Sequence, residues 1–165
     1  MSALRETPGS RWLSPPALLA WLLVIVWLAV IVVFSSDAFS ASSTASLLRP
    51  FLRWLLPDWT PAAIASLHFG IRKTAHVSVY GVLALLAFRA LRLSQDATAT
   101  RHAGLTLLLV LIAASSDEYR QSLSRARTGA LADVGYDLAG GLAALGLAIL
   151  LRRPRRPARA QARKP

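Results

Sequence analysis

Four apolar runs alternate with polar stretches along the chain and predict four membrane-spanning helices. The runs cover residues 17–34, about 71–92, about 103–119 and about 130–151. Each is close to the length of about 20 residues that a helix needs to cross the hydrocarbon core of a bilayer. The pattern therefore predicts an all-α, four-helix transmembrane bundle with no soluble domain of any size.

The segment between the first two spans has a pattern of its own. Residues 35–45 are rich in Ser, Thr and Ala and are predicted to be a loop. In residues 46–61, apolar side chains recur at helical spacing, whereas Arg49 and Arg53 fall together on another side. This predicts a short helix in the first outer loop. It lies either in the membrane interface, with its tryptophans at headgroup depth, or against the bundle as an ordinary loop helix.

Composition supports a membrane protein and argues against nucleic-acid binding. The 165 residues leave room for one domain, and 55% of them are hydrophobic, with a mean hydropathy of +0.47. The net charge is +11, but many of the basic residues follow Leu151 in the tail RRPRRPARAQARKP. No basic, aromatic-interleaved soluble domain accompanies this tail, so no nucleic-acid partner is predicted.

Charge also predicts the topology. The basic tail, residues 152–165, follows an apolar helix directly and is expected in the cytoplasm, where it meets anionic lipid headgroups. Because the number of spans is even, residues 1–16 are then expected in the cytoplasm as well. These two cytoplasmic segments flank a membrane domain at residues 17–151. The linker carrying Arg89, Arg92 and Arg101 falls on the same side. The first loop and the turn at residues 122–129 are therefore expected outside.

This topology brings ionisable side chains from three helices to one level, near the outer surface. The set comprises Lys73, His76 and Tyr80 on one face of the second span, Asp117, Glu118 and Gln121 at the end of the third, and Asp133, Tyr136 and Asp137 at the start of the fourth. Ionisable groups in or beside hydrocarbon are costly and usually mark a function or a pairing partner. We therefore take this set as the candidate site.

The spacing of these residues resembles the VanZ-like family. The pattern is Lys-x-x-His-x-x-x-Tyr, then Asp-Glu-x-x-Gln with an arginine-bearing turn, then an Asp before a Gly-rich helix; here it falls on Lys73, His76, Tyr80, Asp117, Glu118, Gln121, Arg127, Asp133 and Gly140. The resemblance covers roughly residues 70–150 and departs at Asp137, where the family usually has Asn. It implies a bacterial plasma-membrane protein of the cell envelope. The family takes its name from a protein that gives low-level resistance to teicoplanin.

The carboxylates of the third span have two interpretations. Asp117 and Glu118 could act with His76 as general acid and base, because burial and like charge tune carboxyl groups for proton transfer. Alternatively, a carboxylate pairs with Lys73 or Arg127 and locks the helices together, because a buried charge without its partner is costly. The residue at 137 leaves open whether the fourth helix donates a hydrogen bond there or carries a charge.

The arginines of the outer turn also allow two interpretations. Arg125 and Arg127 could grip a phosphate or pyrophosphate headgroup through bidentate hydrogen bonds. Alternatively, the turn is solvated and its arginines contact bulk lipid phosphates.

No metal or cofactor is predicted. His76 is a lone histidine among scattered carboxylates and lacks the ligand spacing of known zinc motifs. The chain contains no cysteine, which excludes thiolate ligands, cysteine nucleophiles and disulfides. We interpret His68 and His102 as residues at the membrane interface.

Three functional hypotheses follow from the sequence. In the first, a binding or envelope-modifying protein acts on a lipid-linked wall precursor or on glycopeptide access to it, in contact with membrane lipids; the residues that would bind the substrate are Lys73, Tyr80, Gln121, Arg125, Arg127, Asp133 and Asp137. In the second, a hydrolase or transferase for an amphipathic substrate uses Asp117, Glu118 and His76 as catalytic residues. In the third, the polar cluster only sets the register of the helices.

Overall fold

Helices make up all the regular structure in the computed structural model, which describes residues 11–124 and 131–151. The α-helices are α1 (Pro15–Phe34), α2 (Ala41–Leu55), α3 (Pro61–Ser94), α4 (Ala99–Ser122) and α5 (Leu131–Leu150), and a 3₁₀ turn (Asp37–Phe39) precedes α2. All but α2 are long and apolar enough to cross a membrane. The prediction of an all-α, four-helix transmembrane bundle is therefore confirmed.

The segment between the first two spans contains more helix than the sequence analysis predicted. The prediction of a loop at residues 35–45 is wrong in its second half, because α2 begins at Ala41. Ser40 caps this helix: its Oγ accepts a hydrogen bond from the backbone N–H of Ser43 at 3.2 Å. The helix runs through Pro50 and ends at Leu55. Its position relative to the membrane interface stays a prediction.

The second spanning helix begins ten residues before the predicted start near Ile71. Thr60 accepts a hydrogen bond from Ala63 N–H at 3.2 Å, and Pro61 occupies the first turn, where its missing N–H costs nothing. The resulting α3 has 34 residues, which corresponds to a length of about 51 Å. Because the hydrocarbon core is about 30 Å thick, part of α3 extends beyond it, and α2 packs against the first turns.

The core of the bundle is organised around α3, which contacts all four other helices. Its residues Leu83, Ala84, Ala87 and Phe88 are buried there, while large apolar side chains face outward on every spanning helix. Trp27 of α1 donates from Nε1 to the backbone carbonyl oxygen of Val79 in α3 at 2.9 Å. Small side chains inside and exposed apolar side chains outside are typical of a bundle solvated by lipid. The chain is therefore an integral membrane protein.

The closest approach in the bundle joins α3 to α5 at Gly140. A Cβ built on Gly140 would lie 2.2 Å from the carbonyl oxygen of Val77, so only glycine fits there. One turn along, a Cβ on Gly81 would lie 3.3 Å from Gly140 O and 3.5 Å from the Cβ of Ala144. The two helices run parallel at this contact. It therefore fixes which residues of α3 and α5 share a level.

Contacts at the helix ends show which ends lie together. At one end, called the linker end below, Arg11 forms an ion pair with Asp96 between α3 and α4. At the other, called the site end, Gln121 at the end of α4 donates to Ser35 at the end of α1. Lys73 in α3 and Asp133 in α5 are joined at the site end too.

Candidate functional site

Lys73 and Asp133 tie α3 to α5 at the site end. The Lys73 ammonium forms an ion pair with the Asp133 carboxylate, and both side chains are largely buried. The ammonium also lies 5.1 Å from the centre of the Phe69 ring and 5.0 Å from that of Tyr136, distances that suit cation–π attraction. The sequence analysis named Asp117 or Glu118 as the partner of Lys73. The structure gives this role to Asp133.

One turn deeper, His76 and Asp137 form a second link between the same helices. His76 Nδ1 lies 3.0 Å from Asp137 Oδ1, and Asp137 is only 1% exposed. When the Asp137 carboxyl group is ionised it can only accept, and the imidazole then donates this hydrogen bond. Asp137 therefore holds the His76 ring in place from the neighbouring helix.

Asp117 is the centre of a network that joins α4 to α1. Its Oδ1 accepts from Arg120 Nη2 at 2.9 Å and its Oδ2 accepts from Gln121 Nε2 at 2.8 Å. This follows from helix geometry, because residues three and four apart are neighbours on one face. Gln121 Nε2 also lies 2.8 Å from Ser35 Oγ, and Arg120 Nη2 lies 3.1 Å from Val32 O.

The Arg120 contact has a local reason. Val32 lies in the last turn of α1, where carbonyl groups lack an intrahelical N–H partner and accept from side chains instead. The sequence analysis assigned roles to neither Arg120 nor Ser35. The spacing of Arg120 from Asp117 on α4 could have predicted their ion pair. The contacts of Arg120 and Gln121 with α1 could not be predicted, because they depend on how the two helices pack.

Tyr80 and Glu118 are buried between these links. Tyr80 is 2% exposed, and its hydroxyl lies within electrostatic range of Asp117, Asp137 and Glu118. Across residues 11–124 and 131–151, that hydroxyl has no hydrogen-bond partner. Leaving such a group unsatisfied costs about 1–3 kcal/mol, so it calls for an explanation.

A cavity of about 310 Å³ lies beside this cluster, within the size range of small-molecule sites. Its wall is mostly apolar and is formed by Ile31, Phe34, Phe39, Leu48, Ile71, Ala75 and Val79. The polar residues that line it are Ser35, Thr44, His68, Arg72, His76, Tyr80, Asp117 and Gln121. Residues of α1, α2, α3 and α4 thus enclose a space with an apolar body and converging polar groups.

The structure divides the predicted site residues into three groups. His76, Tyr80, Asp117 and Gln121 line the cavity. Lys73, Glu118, Asp133 and Asp137 lie in the surrounding cluster and do not line it. Arg125 and Arg127 lie outside the described residues, so their predicted contact with a headgroup stays a prediction.

The sequence analysis did not place four polar residues of the cavity in the site: Ser35, Thr44, His68 and Arg72. His68 is 4% exposed and its Nε2 lies 3.2 Å from Thr44 Oγ1, so its side chain is buried against α2. His102 is equally buried. His68, Arg72 and His76 recur every four residues, a signal that becomes visible once α3 is extended back to Pro61.

The donor set does not suggest a metal centre. Within the described parts of the chain, no group of three or more His, Asp or Glu side chains is arranged to hold an ion.

The fold and the cluster define a class: a polytopic α-helical membrane protein with ionisable side chains gathered at one end of the bundle. A sequence model of the VanZ/LLP1 family matches residues 20–152, most of the chain. The chain therefore belongs to the VanZ/LLP1 family. The match includes most of α1 and the segment between the first two spans, beyond residues 70–150 where the motifs lie. Searches of the curated proteins and of the solved structures found no match.

Proposed function

We propose that this protein binds an amphipathic, lipid-linked component of the bacterial envelope at the outer face of the plasma membrane, and that this binding alters susceptibility to glycopeptides. The observation that carries the proposal is the cavity at the site end together with Tyr80. An apolar wall suits a hydrocarbon chain, and converging polar groups suit the atoms where that chain joins its head. A bound ligand would also give the buried Tyr80 hydroxyl the hydrogen-bond partner it lacks among the described residues.

The charge distribution supports an outward-facing cavity. Arg89, Arg92 and Arg101 lie near the linker end, and α5, which the basic tail follows in the sequence, also ends opposite the site. The positive-inside rule places that end in the cytoplasm, with both termini. The cavity then opens near the outer leaflet, where exported wall precursors and glycopeptides are present. The teicoplanin resistance that gave the family its name agrees with a role at this surface.

Filling the cavity tests the proposal. In Ala75→Trp, an indole would occupy space that the ligand needs, and we expect at least a tenfold loss of affinity for a lipid-linked wall precursor, about 1.4 kcal/mol. The measurement is precursor binding to the full chain in nanodiscs, by native mass spectrometry. Thr74→Trp is the matched control, because its neighbouring position on α3 is exposed and does not line the cavity. Wild-type affinity in a folded Ala75→Trp protein would contradict binding in this cavity.

A second candidate is a hydrolase or transferase, and the His76–Asp137 pair favours it. A carboxylate that orients an imidazole, with the ring lining a ligand cavity, is the arrangement of many general bases. Both oxygens of Asp117 already accept hydrogen bonds from its own helix, so its geometry suits positioning better than proton transfer. A chemically altered precursor released by the wild-type protein in nanodiscs would favour this candidate over simple binding.

A further inference from the structure

A second recess lies next to the cavity, between α2 and the first turns of α3. It is an open groove of about 840 Å³. Arg49 and Arg53 of α2 and Arg72 of α3 line it, with His68 beside them. Among the residues that the structure describes, no Asp or Glu lines this groove. It therefore gathers three guanidinium groups without a carboxylate to balance them.

The arrangement of the three arginines is held by the fold. Arg49 and Arg53 are four residues apart, so both project from one side of α2. Arg72 Nη1 donates to Phe39 O at 3.0 Å and to Thr44 Oγ1 at 3.2 Å, which fixes its guanidinium against the start of α2. Neither Arg49 nor Arg53 forms an ion pair within the described chain.

An anion in the groove would relieve the repulsion between these arginines, of which Arg49 and Arg53 are exposed. Like charges four residues apart on a helix repel, and arginines at the outer surface run against the positive-inside rule. The guanidinium group is planar and presents several N–H donors in a fork that matches a phosphate oxygen pair. Three of these groups around one groove therefore suit an anionic ligand such as a phosphate.

We infer that the α2–α3 groove binds the phosphate group of a lipid-linked ligand, with Arg49, Arg53 and Arg72 as its donors. His68 and Arg72 line both the groove and the cavity, so the two recesses adjoin at these side chains. The phosphate would occupy the groove while the hydrocarbon chain enters the cavity. The binding of the hydrocarbon chain in the cavity rests on the proposed function. The binding of the phosphate in the groove does not depend on it.

The test measures binding of three probes to the full chain in detergent. Farnesyl phosphate carries both a chain and a phosphate, farnesol carries the chain alone, and inorganic phosphate carries the anion alone. In the double variant Arg49→Gln/Arg53→Gln, we expect at least a tenfold loss of affinity for farnesyl phosphate and no change for farnesol. The matched control is Arg89→Gln/Arg92→Gln, which removes the same charge from exposed positions near the linker end and should bind all three probes as wild type does.

The outcomes separate the two proposals. Equal affinity of wild type and Arg49→Gln/Arg53→Gln for farnesyl phosphate would contradict binding of the phosphate in the groove. Wild-type affinity for inorganic phosphate that matches or exceeds that for farnesyl phosphate would overturn a lipid source. In a third outcome, Ala75→Trp leaves farnesol binding intact while Arg49→Gln/Arg53→Gln weakens farnesyl phosphate binding. That result would refute binding of the hydrocarbon chain in the cavity and support binding of the phosphate in the groove. An unchanged melting temperature in each variant ensures that a loss of affinity reports the site.

Discussion

Gly140→Ala is expected to destabilise the bundle more than any other single-methyl change at a glycine of the described chain. The added Cβ would lie 2.2 Å from the carbonyl oxygen of Val77 and 2.9 Å from its Cα, both backbone atoms that cannot rotate away. The two helices must therefore separate. Overpacking of a core costs about 1–3 kcal/mol, occasionally more, and a backbone clash belongs at the upper end. We expect a fall in melting temperature of roughly 6–12 °C.

The separation of α3 and α5 would also damage the site. The Lys73–Asp133 and His76–Asp137 links cross the same interface, so they should weaken together with the packing. Gly146→Ala is the control on the same helix, because a Cβ there meets nothing within 4 Å. The measurement is thermal unfolding of the purified proteins in detergent. A Gly140→Ala protein that melts with wild type and Gly146→Ala would refute the close contact.

Asp117→Asn is expected to produce the second large effect. The substitution keeps the shape of the side chain but replaces one acceptor oxygen with an NH₂ donor. That donor must then face either the Arg120 guanidinium, which can only donate, or Gln121, whose amide must turn to present its oxygen and so give up the hydrogen bond that it donates to Ser35. A buried group that loses its partner costs about 1–3 kcal/mol, and more when it is charged. We expect a loss of about 2–3 kcal/mol in the free energy of unfolding and a looser contact between α4 and α1.

The control for Asp117→Asn is the same change at an exposed ion pair. The Asp96 side chain is 85% exposed and pairs with Arg11 at the linker end. Exposed pairs contribute about 0–1 kcal/mol, so Asp96→Asn should melt close to wild type. Chemical denaturation of both variants measures the difference. Equal stability of the two variants would show that the Asp117 network does not hold α4 against α1.

The sequence predicted the spans and the residues of the cluster because both depend on local pattern. Hydropathy is averaged over a whole helix, and helical periodicity places Lys73 and His76 on one face without knowledge of the neighbours. The partners of these residues were harder to predict. Lys73 meets Asp133 because the contact of Gly140 with Val77 sets the register of α5 against α3. That register depends on tertiary packing, which hydropathy does not contain.

The groove and two cavity residues near the start of α3, His68 and Arg72, were missed for a related reason. The predicted start near Ile71 followed the rise in hydropathy, but α3 starts at Pro61, where Thr60 caps its first turn. His68 and Arg72 then lie on the same face as His76 and contact α2. The docking of α2 on α3 depends on side-chain contacts between segments more than twenty residues apart, and local propensity gives no signal for it.

The proposed function requires the cluster at the site end to bind a ligand and to do more than set the register of the helices. Tyr80→Phe tests it most directly, because the hydroxyl it removes has no hydrogen-bond partner in the described structure. The variant and wild type should be compared in a teicoplanin-sensitive host at equal membrane abundance, and purified for melting. We expect Tyr80→Phe to be as stable as wild type, or more stable by about 1 kcal/mol, and to lose the wild-type effect on susceptibility. Undiminished protection by Tyr80→Phe, or protection lost only in step with stability, would contradict this requirement.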